Sequence, residues 1–248
     1  IDTWLIWKLT NGKSYFTDHT NASRTMLYNI NKLDWDNDLL SIFDIPKHIL
    51  PEILNSSDNF GRTSKSSITA EININGVAGD QQSALFGQNG FYKNDIKCTY
   101  GTGCFILINT GNKRTDSNSG LLTTIACNEN GRPCYALEGS VFMGGAVIQW
   151  LRDELKIIND ANESESIATS INSSDGLYIV PAFTGLGSPY WDMSARGLIT
   201  GITRGTSRSH LVRSSLESIA YQVFDLISTI NQDLNTKIKL LKVDGGAT

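Results

Sequence analysis

Thr99-Tyr100-Gly101-Thr102-Gly103-Cys104-Phe105-Ile106-Leu107-Ile108 is the stretch on which the fold turns. Apolar and β-branched residues flank two glycines separated by one residue, the pattern of two strands joined through a glycine turn. Just upstream, residues 72–78 read as a strand ending at Gly79-Asp80, and residues 81–87 as the start of a helix. Farther upstream, residues 2–9 read as a helix capped by Asp2 and closed at Asn11-Gly12, and residues 15–17 as a short strand. Residues 33–54 carry short amphipathic helices bounded by Pro46 and Pro51, and the polar residues 56–70 read as an exposed loop. Downstream, strands are expected at 121–127, 134–137 and 178–182, and a helix at 142–155 with Gly144 and Gly145 near its start. A long helix is expected at 208–232, burying Leu211, Leu216, Ile219, Ala220, Val223 and Ile227. Strands then helices, twice over, make an α/β protein with a boundary near residues 88–96.

The chain's 248 residues are enough for one large domain or parts of two. A formal net charge of -4 argues against a surface that tracks nucleic-acid phosphates. It leaves open a small anionic ligand in one locally positive pocket. The apolar run at residues 3–9 is too short to span a bilayer and contains Lys8. No basic and apolar leader opens the chain, so export is not expected. Cys98, Cys104, Cys127 and Cys134 form no Cys-x-x-Cys pair, and His19, His48 and His210 are scattered. No zinc site is expected; four reduced thiols in a cytoplasmic protein is the plain reading.

Several nucleotide motifs fail. Gly12-Lys13-Ser14 resembles the end of a P-loop, but Trp7 stands where its first glycine belongs. Gly101-Thr102-Gly103 lacks the third glycine of a dinucleotide fingerprint, because position 106 is Ile. What remains is one carboxylate and several separated glycine turns. Asp80 sits between an expected strand end and a helix start, where position alone favours a helix N-cap and where a general base for a hydroxyl proton would also fit. Gly101-Thr102-Gly103 and Gly245-Gly246 let backbone approach a phosphate closely, or are ordinary turns. Gly144-Gly145, with Gln149 at helical spacing, either admits a nucleotide or serves close helix packing. Together they fit a nucleotide held between two lobes without a P-loop.

Val77-Ala78-Gly79-Asp80-Gln81-Gln82, Tyr100-Gly101-Thr102-Gly103-Cys104-Phe105 and Asp244-Gly245-Gly246 resemble the FGGY family of carbohydrate kinases. Gly197-Leu198-Ile199-Thr200-Gly201-Ile202, with the following His210-Leu211 and Ser214-Ser215-Leu216-Glu217, resembles that family's C-terminal signature. Within the family, four stretches resemble the members that act on glycerol, not on xylulose or gluconate. They are Thr20-Asn21-Ala22-Ser23-Arg24-Thr25, residues 79–88, residues 138–153, and residues 182–192 with their Gly185-Leu186-Gly187-Ser188-Pro189-Tyr190-Trp191-Asp192 run.

The resemblance implies an actin-like, ribonuclease-H-like pair of α/β domains with the active site between them. Residues 1–88 would be the C-terminal part of the first, substrate-side domain, and residues 89–248 the N-terminal part of the second, nucleotide-side domain. Asp80 matches the catalytic base, and Asp80, Gln81 and Phe105 match the substrate site. Thr102, Gly145, Gln149 and Gly246 match ATP-contacting positions, with Mg²⁺ as the accompanying ion and no residue of this stretch as its ligand. The implied activity is ATP-dependent phosphorylation of glycerol to sn-glycerol 3-phosphate by a cytoplasmic enzyme, a homo-oligomer at full length, that uses neither nucleic acid nor membrane. A kinase for another polyol or sugar, and a non-enzymatic actin-like nucleotide module, are the alternatives. The family's first phosphate hairpin and its Arg-Glu substrate clamp match nothing in this stretch, which corresponds to roughly the middle half of such an enzyme. Residues 1–248 alone are therefore expected not to phosphorylate glycerol. The loop that binds fructose 1,6-bisphosphate in regulated members corresponds to Ser64-Lys65-Ser66-Ser67-Ile68-Thr69, which has no arginine.

Overall fold

Helix α1 (Asp2–Leu9) opens a computed structural model that describes residues 1–248. Asp2 does not cap it, contrary to expectation. The cap position is Ile1, and the Asp2 carboxylate instead accepts the Thr17 hydroxyl at 2.6 Å. Thr17 lies in β1 (Phe16–Asp18), which pairs in parallel with β4 (Glu52–Leu54). Between these strands run α2 (His19–Ala22), the antiparallel pair β2 (Tyr28–Asn29) and β3 (Asp34–Trp35), and α3 (Asn37–Ile42). Asp36 caps α3 by accepting the amides of Asp38 and Leu39. Tyr28 and Trp35 meet edge to face at 6.3 Å and bury with Ala22, Leu40 and Ile125 into one core.

Residues 72–78 do not form the regular strand expected of them. They pair instead with residues 56–63, part of the stretch expected to be an exposed loop, through two isolated bridges, Ser57↔Gly76 and Arg62↔Asn73. Backbone bonds such as Phe60 N–H to Ile74 O (2.9 Å) and Val77 N–H to Ser56 O (2.9 Å) complete the pairing. The partner segment is polar by composition yet buries Phe60 completely. Composition alone hid it. The segment delivers the chain into α4 (Asp80–Gly87), whose Leu85 enters a second core with Leu107, Ala126, Cys134 and Ala136. Truncating a fully buried leucine of this kind costs about 2–5 kcal/mol.

The longer strands are β5 (Ile96–Tyr100), β6 (Cys104–Gly111), β7 (Leu122–Cys127), β8 (Pro133–Val141) and, near residue 243, β11 (Lys242–Asp244). They form one sheet in the order β11-β5-β6-β8-β7. Helix α5 (Ala146–Asp153) is shorter than expected, and α6 (Glu163–Thr169) was not expected at all. β9 (Tyr178–Val180) pairs antiparallel with β10 (Leu198–Thr200). Helix α7 (Arg208–Asp233) is the longest. Its buried face is rotated from the expected one: Ser214, Ser215 and Ser218 are buried beside Ile219 and Val223, while Ala220 is exposed. Hydroxyls rather than methyls fill that face because the Ser214 side chain donates to Leu177 O at 2.9 Å. Arg213 adds bonds to Ala168 O and Ile171 O and pairs with Glu217 at 2.8 Å.

The chain divides into two units. One comprises residues 1–97, 107–116 and 122–137, the other residues 98–106, 117–121 and 138–248. No helix is long and apolar enough to cross a membrane. None of the four cysteines is in a disulfide and all are buried; burial pushes the Cys134 thiol up to about 12 and raises Cys127, whereas a hydrogen bond with Cys98 lowers Cys104. Buried thiols of raised pKa are poor nucleophiles. Because burial keeps the reagent away from all four, an aromatic disulfide reagent should label almost no thiol in the native protein and all four after denaturation. Fast native labelling would show that one of these strands opens.

Candidate active site

In the first unit, the sequence folds so that Asp80 is the first residue of α4. Gly79 occupies the cap position in an extended conformation, without a side-chain cap bond. The Asp80 side chain is exposed and its Oδ1 accepts the amide of the next residue, Gln81, at 2.8 Å. An acid in the first turn also sits favourably at the positive end of the helix dipole. Gly79 is required by close approach: a Cβ there would lie 2.6 Å from Oε1 of Gln82. Gln82 is buried and anchored, its Nε2 donating to Ile125 O at 3.1 Å.

Gln81 is oriented by a residue the sequence reading did not single out. Lys97, the second residue of β5, is fully buried, and its Nζ donates to Gln81 Oε1. An ammonium only donates, so the carboxamide oxygen must face it and the Nε2 donors must point away. The available signal was a lysine inside an otherwise apolar strand, because such a group is buried only when it has partners. A cavity of about 370 Å³ lies beside α4, lined by Ser56, Val77, Ala78, Ser83, Phe86 and Cys127 among others, and contains neither Asp80 nor Gln81.

In the second unit, the three glycine turns meet. The β5–β6 turn closes with Gly101 N–H on Gly103 O at 2.9 Å. Its carbonyls receive the start of α5: Gly144 and Ala146 donate to Thr102 O at 2.8 and 3.1 Å, and Gly145 donates to Gly101 O at 2.8 Å. From the turn after β11, Ala247 N–H reaches Tyr100 O at 3.1 Å. A Cβ on Gly145 would stand 2.9 Å from Gly101 O, and one on Gly245 2.2 Å from Tyr100 O. Nothing lies within 4 Å of the corresponding point at Gly246, so that face of the turn is open. Thr102 and Gln149 are exposed, and Gln149 stands one helical turn after Gly145 on the same face of α5.

The structure thus brings Thr102, Gly145 and Gly246 to one junction, with Gln149 next to it. The amides of Gly144, Gly145 and Ala146 are committed to the hairpin, so α5 does not present its N-terminus to an anion. What this junction can offer a phosphate is the Thr102 hydroxyl and the open backbone at Gly246. Phe105, half-buried on β6, belongs to the second unit, whereas Asp80 and Gln81 belong to the first.

Residues 1–87 match the N-terminal domain of the FGGY family of carbohydrate kinases, and residues 96–248 match the C-terminal domain of the same family. Among curated proteins, a glycerol kinase of Clostridium perfringens is 57% identical over 251 residues, covering 100% of this chain and 50% of the relative. Glycerol kinase 2 of Thermotoga maritima is 57% identical with the same coverage. Among solved structures, Plasmodium falciparum glycerol kinase with ADP superposes with a TM-score of 0.88 at 44% identity, over 98% of this chain and 49% of that one. A ligand-bound xylulose kinase from Lactobacillus acidophilus reaches 0.83 at 24% identity, over 99% of this chain and 50% of that one; this likeness speaks to fold alone. The chain spans about half the length of the relatives it matches. Its fold is the mixed α/β, actin-like fold of these kinases. The chain belongs to the FGGY family of carbohydrate kinases.

Proposed function

We propose that the protein carrying these residues transfers the γ-phosphoryl group of ATP to a terminal hydroxyl of glycerol, giving sn-glycerol 3-phosphate and ADP. The observation that carries this reading is the high identity to glycerol kinases along the whole chain, well above that to the xylulose kinase. The meeting of three glycine turns at Thr102 supports the nucleotide side of it.

Asp80 accepts the proton of the attacking hydroxyl as the new phosphorus–oxygen bond forms and the bond to ADP breaks. Its exposed position at the start of α4 suits that task. Gln81, with its oxygen held by Lys97, turns its Nε2 donors toward the substrate hydroxyls. Phe105 supplies an apolar wall for the carbon backbone. Thr102, Gly145, Gln149 and Gly246 hold the nucleotide, Gly145 and Gly246 by allowing close approach. The accompanying Mg²⁺ ion would be bound mainly through the substrate phosphates. When bound, that ion neutralises charge on the transferring group.

The same reading assigns residues 1–88 to the substrate-side domain and residues 89–248 to the nucleotide-side domain. The limits of the two family matches support that division, although the compact units cut the chain differently. The buried free thiols support a cytoplasmic location.

The test is ATP turnover by the full-length protein with glycerol, erythritol and xylulose in turn. Glycerol should give the highest kcat/KM. Preference for another substrate would make the protein a different polyol or sugar kinase. Nucleotide binding without transfer to any of them would make it a non-enzymatic module.

A further inference from the structure

Asp18 is fully buried and lies at the end of β1. Its Oδ1 accepts Asn21 N–H at 3.0 Å and Asn21 Nδ2 at 2.7 Å. Its Oδ2 accepts Thr20 N–H at 3.1 Å, the Thr20 hydroxyl at 2.7 Å and the Ser56 hydroxyl at 2.7 Å. The Thr20 hydroxyl has one proton, which it donates to Asp18. Its lone pair faces the other way and accepts Gly79 N–H at 2.8 Å. Gly79 is the cap residue of α4, one position before Asp80.

We propose that Asp18 and Thr20 are positioning residues for Asp80, acting through the Gly79 amide. The inference rests on the reading of Asp80 as the base. A carboxylate can only accept, so it fixes the direction of the Thr20 hydroxyl, and only that direction leaves an acceptor for Gly79. The orphan amide at the start of α4 is thereby satisfied from a distant segment instead of by a local cap. Ser56 closes the arrangement from the other side: its hydroxyl binds Asp18, and its carbonyl accepts Val77 N–H at 2.9 Å. Val77, through Ser56, and Gly79, through Thr20, are thus tied to one buried carboxylate. Gln82, wedged against Gly79 and anchored on Ile125, limits rotation of the helix start. The direction from which Asp80 meets a hydroxyl is set by this arrangement.

Thr20→Val in the full-length protein keeps the shape and removes the hydroxyl. It should lower kcat by roughly 10- to 100-fold, the scale of a small misplacement of a reacting group, while the KM for ATP stays unchanged. Thr20→Ser should retain wild-type kcat, because it keeps the donor and acceptor. The Gly79 amide should exchange slowly with solvent in wild type and in Thr20→Ser, and fast in Thr20→Val. A folded Thr20→Val with wild-type kcat overturns the proposal. So does a folded Thr20→Ser with kcat reduced as in Thr20→Val, and this second variant decides the matter if Thr20→Val does not fold. Asp80→Asn, measured alongside, separates the two ideas. If it keeps full activity, the base assignment fails and positioning of a base fails with it. If it is inactive while Thr20→Val is not, only the positioning proposal fails.

Discussion

Asp80→Asn in the full-length protein should lower kcat by about 10²–10⁴, the usual contribution of a general base. The fold should survive. The side chain is exposed, and the Gln81 N–H donates at 2.8 Å to an oxygen that the amide retains. Loss of the negative charge from the first turn of α4 should cost only about 0.3–1 kcal/mol of stability through the helix dipole. An amide is not a base at neutral pH, so the proton of the attacking hydroxyl has no acceptor. ADP affinity should stay near wild type, since Asp80 does not belong to the glycine junction. Phe105→Ala is the contrast: it removes an apolar wall and should chiefly raise the KM for glycerol. Steady-state kinetics with a thermal melt on both variants decides the matter. Nearly full kcat in a folded Asp80→Asn would send the search for the base elsewhere.

Gly245→Ala should weaken ADP binding by about 10- to 100-fold, equivalent to about 1–3 kcal/mol. Two costs coincide at this residue. Its φ of +104° is a conformation that an alanine rarely adopts, and the new methyl would lie 2.2 Å from Tyr100 O. The obstruction is the main chain of Tyr100, whose C and N also lie at 2.7 and 2.8 Å, so no side chain can swing away. Overpacking of this kind costs about 1–3 kcal/mol. The Ala247–Tyr100 hydrogen bond is worth about 1 kcal/mol net, too little to hold the turn in place. The turn should therefore leave its seat, taking Gly246 with it. Gly246→Ala meets open space and should leave stability unchanged while reducing ADP affinity, because the methyl occupies the face offered to the nucleotide. Calorimetric titration with ADP checks both variants. Wild-type affinity in Gly245→Ala would remove this turn from the nucleotide site.

The sheet around the glycine hairpin and the long α7 were legible in the sequence because their patterns are local. Residues 99–108 set apolar and β-branched residues on both sides of two glycines, and residues 208–233 keep a helical period over many turns. The pairing of residues 56–63 with 72–77 was not legible, because a polar segment became ordered through backbone bonds that leave little trace in composition. The α7 face was misjudged for a related reason: Ser214 and Ser218, which satisfy their hydroxyls on Leu177 O and on the helix itself, can be buried like alanines. At the candidate site, Asp80 and the glycines stood out as residue types. Lys97, Thr20 and Asp18 did not, since what singles them out is burial with specific partners across long sequence separations.

The junction at Thr102 is built almost entirely of main chain: amides of residues 144–146 and 247 on carbonyls of residues 100–102. Every amino acid except proline carries the same amide and carbonyl, so away from the glycines most substitutions next to the junction leave those bonds intact. Changes of length do not. One residue inserted between β5 and β6 would displace the receiving carbonyls by about 3.3 Å along the strand, beyond reach of their donors. Around this junction, evolution is free to exchange side chains for a new substrate or a new temperature, while the spacing of the chain is held fixed.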